Sequence, residues 1–325
     1  MKSPINLRRN LLPTGLRDYM TEATMFVIFV VFFIIMSIIG YPYFFTVTNI
    51  LNVMSQIGIA AIIAIGQTYI IITAGIDLSV GSVLALSGMV CGIVLKNQQN
   101  ILAGVIIALA IGGLCGTING LLVGVARVPA FVVTLGMMSI ASSLTYVISH
   151  GNSFSNFPVN FSALGRSTLF GIPYYLILII LLFVAGSFVL IKTKFGRIIY
   201  AIGSNREATR LSGVNVKWYT VLPYIITGLL VGVAAIVNSS QLMAVDPTMG
   251  ANLQMDTLAA VVIGGANLMG GKGTLVGTLI GVLLIGFLRN ALNIMGVNSF
   301  WQGTVVGAVI ILAVLVESLR NSRQR

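Results

Sequence analysis

Long apolar runs alternate with short polar breaks along the whole chain. A bilayer-spanning helix needs about 20 mainly apolar residues. On that rule the runs predict spans near residues 24–43, 50–73, 78–95, 101–125, 129–148, 173–191, 219–243, 256–270, 274–294 and 300–316. Two breaks stand out: 149–172 is polar with interspersed phenylalanines, and 192–218 is the one long stretch dense in charge. The pattern predicts an all-α integral membrane protein of about ten transmembrane helices, forming a single domain over residues 1–325.

Composition agrees with this reading, since 57% of residues are hydrophobic and 8% charged, against about 25% charged in soluble domains. The 36 glycines suit helices that approach closely through small residues. A net charge of +11 raises nucleic acid as a partner, but the basic residues fall in short loops between apolar runs rather than on a soluble module with aromatic or polar readers. Their pattern is that of orientation in a bilayer, with attraction to anionic lipid heads as a secondary effect. If the N-terminus is inside, Lys96, Arg166 and Arg289 are the outer positions and all other Lys and Arg residues are inner. This predicts a cytoplasmic N-terminal segment 1–23, an external loop 149–172, a cytoplasmic loop 192–218 and cytoplasmic termini. Lys2, Arg8, Arg9 and Arg17 precede the first run as in a signal peptide. No A-x-A-like site closes the run and further spans follow, so it reads as an uncleaved first helix. Cys91 and Cys115 lie in apolar runs without C-x-x-C spacing and read as buried thiols.

The fourth and ninth segments of the sequence share a pattern. Gly113 to Arg127 resembles Gly273 to Arg289, with Gly116-Thr117 opposite Gly277-Thr278 and Gly120 opposite Gly281. Glycine-rich spans also look alike by chance. If the likeness is a true repeat, it joins spans of opposite direction, the inverted plan that transporters use for alternating access.

Several polar stretches are candidates for function. In the charged loop, Ser204 stands three residues before Glu207, the spacing of a capping box. A short helix over Asn205, Arg206, Glu207, Ala208, Thr209, Arg210, Leu211 and Ser212 follows, with Arg206 and Arg210 on one face and Gly213 placed to stop it in a left-handed conformation. An ordinary topology-setting loop needs charge but no capped helix, whereas a lever that passes force from a partner needs a short rigid projection. Asp77 and Ser79, in Gly75-Ile-Asp-Leu-Ser-Val-Gly81-Ser82, are placed to cap the third span, and a direct gating or solute role is the other reading. Asn52, Gln56, Gln67, Asn119, Asn238 and Gln241 are neutral amides within spans. They suit a path for a hydroxyl-rich solute and equally suit hydrogen bonds between helices. Asp246 and Asp256 flank a short outer segment and read as solvated. Gly264 to Thr274 has the look of a phosphate loop, but Ala266 takes the first glycine position and Gly273 follows Lys272, so it reads as a tight inner turn. One histidine and scattered acids offer neither a metal site nor a catalytic set, and no cofactor is expected.

Gly75-Ile-Asp-Leu-Ser-Val-Gly-Ser82, Glu207-Ala-Thr-Arg-Leu-Ser-Gly-Val-Asn215, Ala259-Ala-Val-Val-Ile-Gly-Gly265 and Gly270-Gly-Lys-Gly-Thr274 together resemble ribose-type permeases, the membrane subunits of ABC monosaccharide importers. The resemblance implies a homodimeric, non-catalytic permease of the bacterial inner membrane. It implies a separate ATPase subunit on the cytoplasmic side and an external, periplasmic sugar-binding protein. It also assigns Asn205 to Gly213 to contact with the ATPase. Arg206 departs from the family pattern, where smaller or acidic residues are usual. An ion-coupled secondary transporter is the main alternative and would call for a carboxylate in mid-span; a membrane enzyme would need a nucleophile, base or metal cluster facing a cavity.

Overall fold

The computed structural model describes residues 14–322. Lys2, Arg8, Arg9, Arg323 and Arg325 of the expected cytoplasmic ends lie outside them. The helices are α1 (Thr14–Ile39), α2 (Val47–Ile72), α3 (Val80–Gln98), α4 (Ile101–Gly124), α5 (Ala130–Ser149), α6 (Ala163–Arg166) and α7 (Tyr174–Lys192). They continue as α8 (Lys194–Ser204), α9 (Arg206–Leu211), α10 (Val216–Leu242), α11 (Leu253–Ile263), α12 (Leu275–Ile294) and α13 (Ser299–Ser322). Four two-residue strands complete the chain: β1 (Phe154–Ser155), β2 (Thr168–Leu169), β3 (Ile172–Pro173) and β4 (Ala244–Val245).

Eight helices among the described residues are long and apolar enough to cross a bilayer. The expected span 300–316 is not one of them, and neither is 256–270. The helix of the latter, α11, has 11 residues, about 16 Å at 1.5 Å per residue, or half a hydrocarbon core. Gly264 and Gly265 end it, the latter at φ +92°, and a glycine turn follows. The span rule had fused this half-helix with the turn because both are apolar.

The centre is α2 and α10, with α4 laid against α10. Gly112, Gly116, Gly120 and Gly124 recur every fourth residue along α4, and a Cβ on Gly112 or Gly116 would overlap the backbone carbonyl of Gly228 or Tyr224 on α10. Backbone thus meets backbone, the small-residue contact that substitutes for hydrophobic driving force inside a membrane. Gly277 and Gly281 do the same for α12, against Gly264 and Ala260. Hydrogen-bonded threonine and asparagine caps start some of the helices: Asn100 Oδ1 accepts from Ala103 N at 3.0 Å, and Thr274 Oγ1 from Gly277 N at 3.0 Å.

Two helices begin below the outer surface of the bundle, after extended segments. Gln67 donates to the Asp77 carbonyl at 2.6 Å, which places the start of α3 level with a point five residues, about 7 Å, short of the end of α2. On the other side, the chain leaving β4 descends along α3. Added Cβ atoms on Gly92, Gly88 and Gly81 would strike Val245, Met249 and Gly250 in turn. α11 then sets off from beside Gly81 toward the end of α2, opposite in direction to α3. Helix pairs α3–α4 and α11–α12 therefore have the same order, a helix with an extended lead-in then a glycine-rich spanning helix, in opposite senses, as an inverted repeat requires.

Candidate functional site

The charged loop folds as two helices. Thr193 caps α8 through Gly196 N, and α8 buries Ile199 and Ile202. Between α8 and α9 the backbone opens to φ −157°, ψ 98° at Asn205, whose Oδ1 accepts from Ala208 N at 2.9 Å. The Ser204–Glu207 capping box does not form. Ser204 still belongs to α8, so the extended cap position falls one residue later, on an asparagine that caps equally well. Glu207 is free to pair with Arg210, Oε1 to Nη2 at 2.5 Å, and those hydrogen bonds hold its carboxyl below the usual range. Gly213 takes φ +81° and ends the element as the sequence predicts. Of α9, Thr209 alone is buried, its hydroxyl donating to the Asn205 carbonyl at 2.8 Å. Ala208 and Ser212 are exposed, and Leu211 is 72% exposed. Arg206 does not share a task with Arg210: it faces a cavity of about 290 Å³ with Arg127, Thr220 and Tyr224. Burial, and then the neighbouring Arg127 charge, lower its pKa from the ordinary arginine value.

Behind this projection lies a seat that sequence reasoning missed. The turn between α11 and α12 holds Gly270, Gly271 and Gly273 at φ +87°, +75° and +143°, where only glycine sits without strain. Gly271 N donates to the Ile72 carbonyl at 2.9 Å, and the Tyr200 hydroxyl of α8 donates to the Gly273 carbonyl at 2.5 Å. Gly203 of α8 lies so close that a Cβ there would overlap both Ile72 O and Gly271 N. The false phosphate loop is thus the place where α8, the end of α2 and the start of α12 meet. Its dense glycines were the available signal.

Just inside that seat is a buried polar network. Asp77 Oδ1 accepts from Ser79 N at 2.8 Å and Ser79 Oγ at 2.6 Å, and Asn119 Nδ2 donates to Ser79 Oγ at 3.0 Å. With Gln67 on the Asp77 carbonyl, four side chains buried below 4% exposure join α2, α3 and α4. Neither predicted cap holds an amide of α3 itself: the Asp77 carboxylate takes the Ser79 amide, one residue ahead of the helix. Gly81, the glycine near the end of that motif, is where α3 meets Gly250.

The six span amides do not gather in one place. Gln67 and Asn119 belong to the network, Asn52 and Gln56 are exposed on the first turns of α2, and Asn238 and Gln241 sit on the last turns of α10. The Gln241 carbonyl accepts from Arg166 Nε at 2.9 Å. Asn49 and Asn290 pair reciprocally between α2 and α12 at 2.8–2.9 Å, an interhelical role.

On the far side, loop 149–172 is tied to the α10–α11 connection. β1 pairs antiparallel with β4, Phe154 opposite Val245 and Ser155 opposite Ala244. Asp246 accepts from Ser153 Oγ at 2.5 Å and Thr248 N at 2.8 Å, bonds that lower its pKa. Asp256, expected to be solvated, is instead paired with Arg289 of α12 at 2.5 Å and is 14% exposed. It lies in the first turn of α11, below the outer loops. Phe170, at the tip of the β2–β3 hairpin, is 98% exposed.

Residues 49–314 match the family described as the branched-chain amino acid transport system / permease component. The chain is 42% identical to the ribose import permease protein of Escherichia coli, over 86% of this chain and 88% of the relative. It is 36% identical to the D-allose transport system permease protein of the same organism, over 90% of each. With the L-arabinose ABC transporter permease protein of Azospirillum brasilense the identity is 30%, over 96% of this chain and 91% of the relative. No solved structure matches the chain.

Proposed function

Because the chain belongs to the permease-component family of the branched-chain amino acid transport system, a family of multi-pass transport subunits, we propose that it is the membrane subunit of an ATP-driven bacterial importer for a monosaccharide or related hydroxyl-rich solute. Two copies form the translocation path between them in the inner membrane, with both termini cytoplasmic. A separate ATPase subunit docks on residues 204–213, and an external sugar-binding protein docks on the platform built from loop 149–172 and β4.

The observation that carries this reading is α9: a capped, six-residue helix that leaves Leu211 72% exposed next to the Glu207–Arg210 ion pair. An isolated helix of that length does not hold itself together, and an exposed leucine beside an ion pair suits a protein partner. When ATP binding draws two cassettes together, α9 and α8 move as one. They press on the glycine turn and the end of α2, beside Asp77. The nucleotide supplies the free energy, so the permease needs only different contacts in its inward and outward states. The sugars named for the relatives support a monosaccharide, and the choice among monosaccharides then rests with the external receptor. An ion-coupled carrier would want a free carboxylate along its path, whereas Asp77 is engaged by Ser79 and Asp256 by Arg289.

Reconstitution tests the proposal. Proteoliposomes holding this subunit, its ATPase and its external receptor are expected to accumulate radiolabelled ribose, arabinose or allose only with ATP inside the compartment that holds the ATPase. Asn205→Ala, which frays α9 by about 1 kcal/mol, should lower uptake while leaving the subunit in the membrane. Uphill uptake by this subunit alone would refute the reading.

A further inference from the structure

The starts of α3 and α11 meet beside a cavity of about 380 Å³, within the 300–1,000 Å³ range of small-molecule sites. Apart from Thr248, whose hydroxyl donates to Asp246 Oδ1, its polar lining comes from the first turn of α3 (Ser82), from α5 (Ser139, Ser142 and Tyr146) and from the start of α11 (Asn252 and Gln254). We propose that this cavity holds a neutral, hydroxyl-rich solute partway across the membrane, and that these six side chains are its contacts.

Three independent features support the assignment. The first is polarity in the wrong place for lipid. In its second half α5 exposes Ile140, Leu144 and Val147, as a lipid-facing helix should, yet Ser139, Ser143 and Tyr146 form a second exposed line at i, i+4 and i+7, roughly 100° round the helix. A hydroxyl stripe turned away from the apolar face belongs against a partner helix or a water-filled path.

The second is free hydrogen-bonding capacity. Among the described residues the side chains of Ser82, Ser142, Tyr146, Asn252 and Gln254 make no hydrogen bond, and Ser139 makes one long one to the Leu135 carbonyl at 3.2 Å. Hydroxyls and amides both donate and accept, which matches a polyol, and no charged side chain lines the cavity. An ion would find no counter-charge there.

The third is position. Discontinuous helices place solute sites where their ends meet inside the bilayer, and here Gly81 and Gly250 touch at that junction. The span amides of the sequence reading failed to gather because these contacts are mostly serines, a tyrosine and residues of a connection that the sequence placed outside.

The inference deepens the proposed transport role and rests on it for the identity of the solute, but the site can be read without transport. Cys91 and Cys115 are buried, so single cysteines can be introduced into the full chain in membranes. Ser139→Cys and Ser142→Cys are expected to react with a charged, membrane-impermeant methanethiosulfonate roughly tenfold or more faster than Ile140→Cys or Val147→Cys on the same helix, because a charged reagent is excluded from hydrocarbon. In the complete transporter, Ser142→Trp should abolish uptake of radiolabelled ribose, the probe sugar, while ATP hydrolysis stimulated by the external receptor persists. Ser142→Thr should retain uptake. Equal labelling of all four cysteines, or unimpaired uptake by Ser142→Trp, overturns the site. Wild-type complex that takes up no sugar with ATP, yet labels selectively, refutes the transport reading and leaves a water-filled polar cavity standing.

Discussion

Asp77, 3% exposed, is held through one oxygen: its Oδ1 accepts from both the amide and the hydroxyl of Ser79. Removing one partner of a buried polar pair costs about 1–3 kcal/mol for each group left unpaired. Asp77→Ala should therefore lower the detergent-solubilised protein's Tm markedly, whereas Asp77→Asn, which keeps an acceptor at Oδ1, should lower it much less. Equal losses in thermal unfolding would show that the negative charge, not the acceptor, matters. At this scale the sequence was partly legible. It identified Asp77, Ser79, Gln67 and Asn119 as notable because polar atoms in apolar runs are costly, and it divided them between a cap and a path because partners ten and 40 residues apart are invisible to local spacing. The capping box failed for a similar reason: Ser204 and Glu207 have the right spacing, but only the break in φ at Asn205 decides where a helix starts.

Elements were legible wherever length alone decides. Eight of the expected runs are helices of 18 to 27 residues that are long and apolar enough to span, and Gly213 stops α9 as its type requires. Half-elements were not, because hydropathy sees composition and cannot see that residues 246–252 descend beside α3 before α11 begins. Asp256 and Arg289 were misplaced with them: one appeared as a solvated acid and the other as an outer charge, yet they hold α11 to α12. Asp246 is the acid that does remain at the surface, and it fastens the outer platform. Its folded pKa lies below the ordinary carboxylate value because of hydrogen bonds from Ser153 and Thr248. A depressed folded pKa contributes stability above the unfolded value near 4, and that contribution is lost as pH falls through the folded value. Proteolysis of loop 149–172 should therefore rise as pH is lowered below about 4. In Asp246→Asn it should be faster at neutral pH and lose most of that pH dependence. A wild-type loop equally resistant at pH 3 and pH 7 would mean that β1–β4 pairing holds the platform without the carboxylate.

At the scale of the whole molecule, the proposed lever and the proposed solute cavity are joined by backbone rather than by side chains. α9 continues into α8 through Asn205; α8 lies on the glycine turn and the Ile72 carbonyl; from Ile72 the chain runs directly to Asp77 and the first turn of α3, which lines the cavity. Backbone contact of this kind is stiff, and it exists only because Gly203 has no Cβ. Gly203→Ala would drive a methyl into two main-chain atoms that cannot rotate away, so α8 must lift from its seat or the turn must shift. Nothing on α9 changes, and the surface offered to the ATPase is preserved. The expected outcome is a transporter that assembles and hydrolyses ATP but moves roughly tenfold less sugar per ATP, within the range of coupling free energies between distant sites. The same substitution at Gly303, where an added Cβ meets nothing within 4 Å, should leave that ratio unchanged. If Gly203→Ala keeps the wild-type ratio at normal membrane levels, force reaches the cavity by another route, and the contact of α8 with the turn is packing alone.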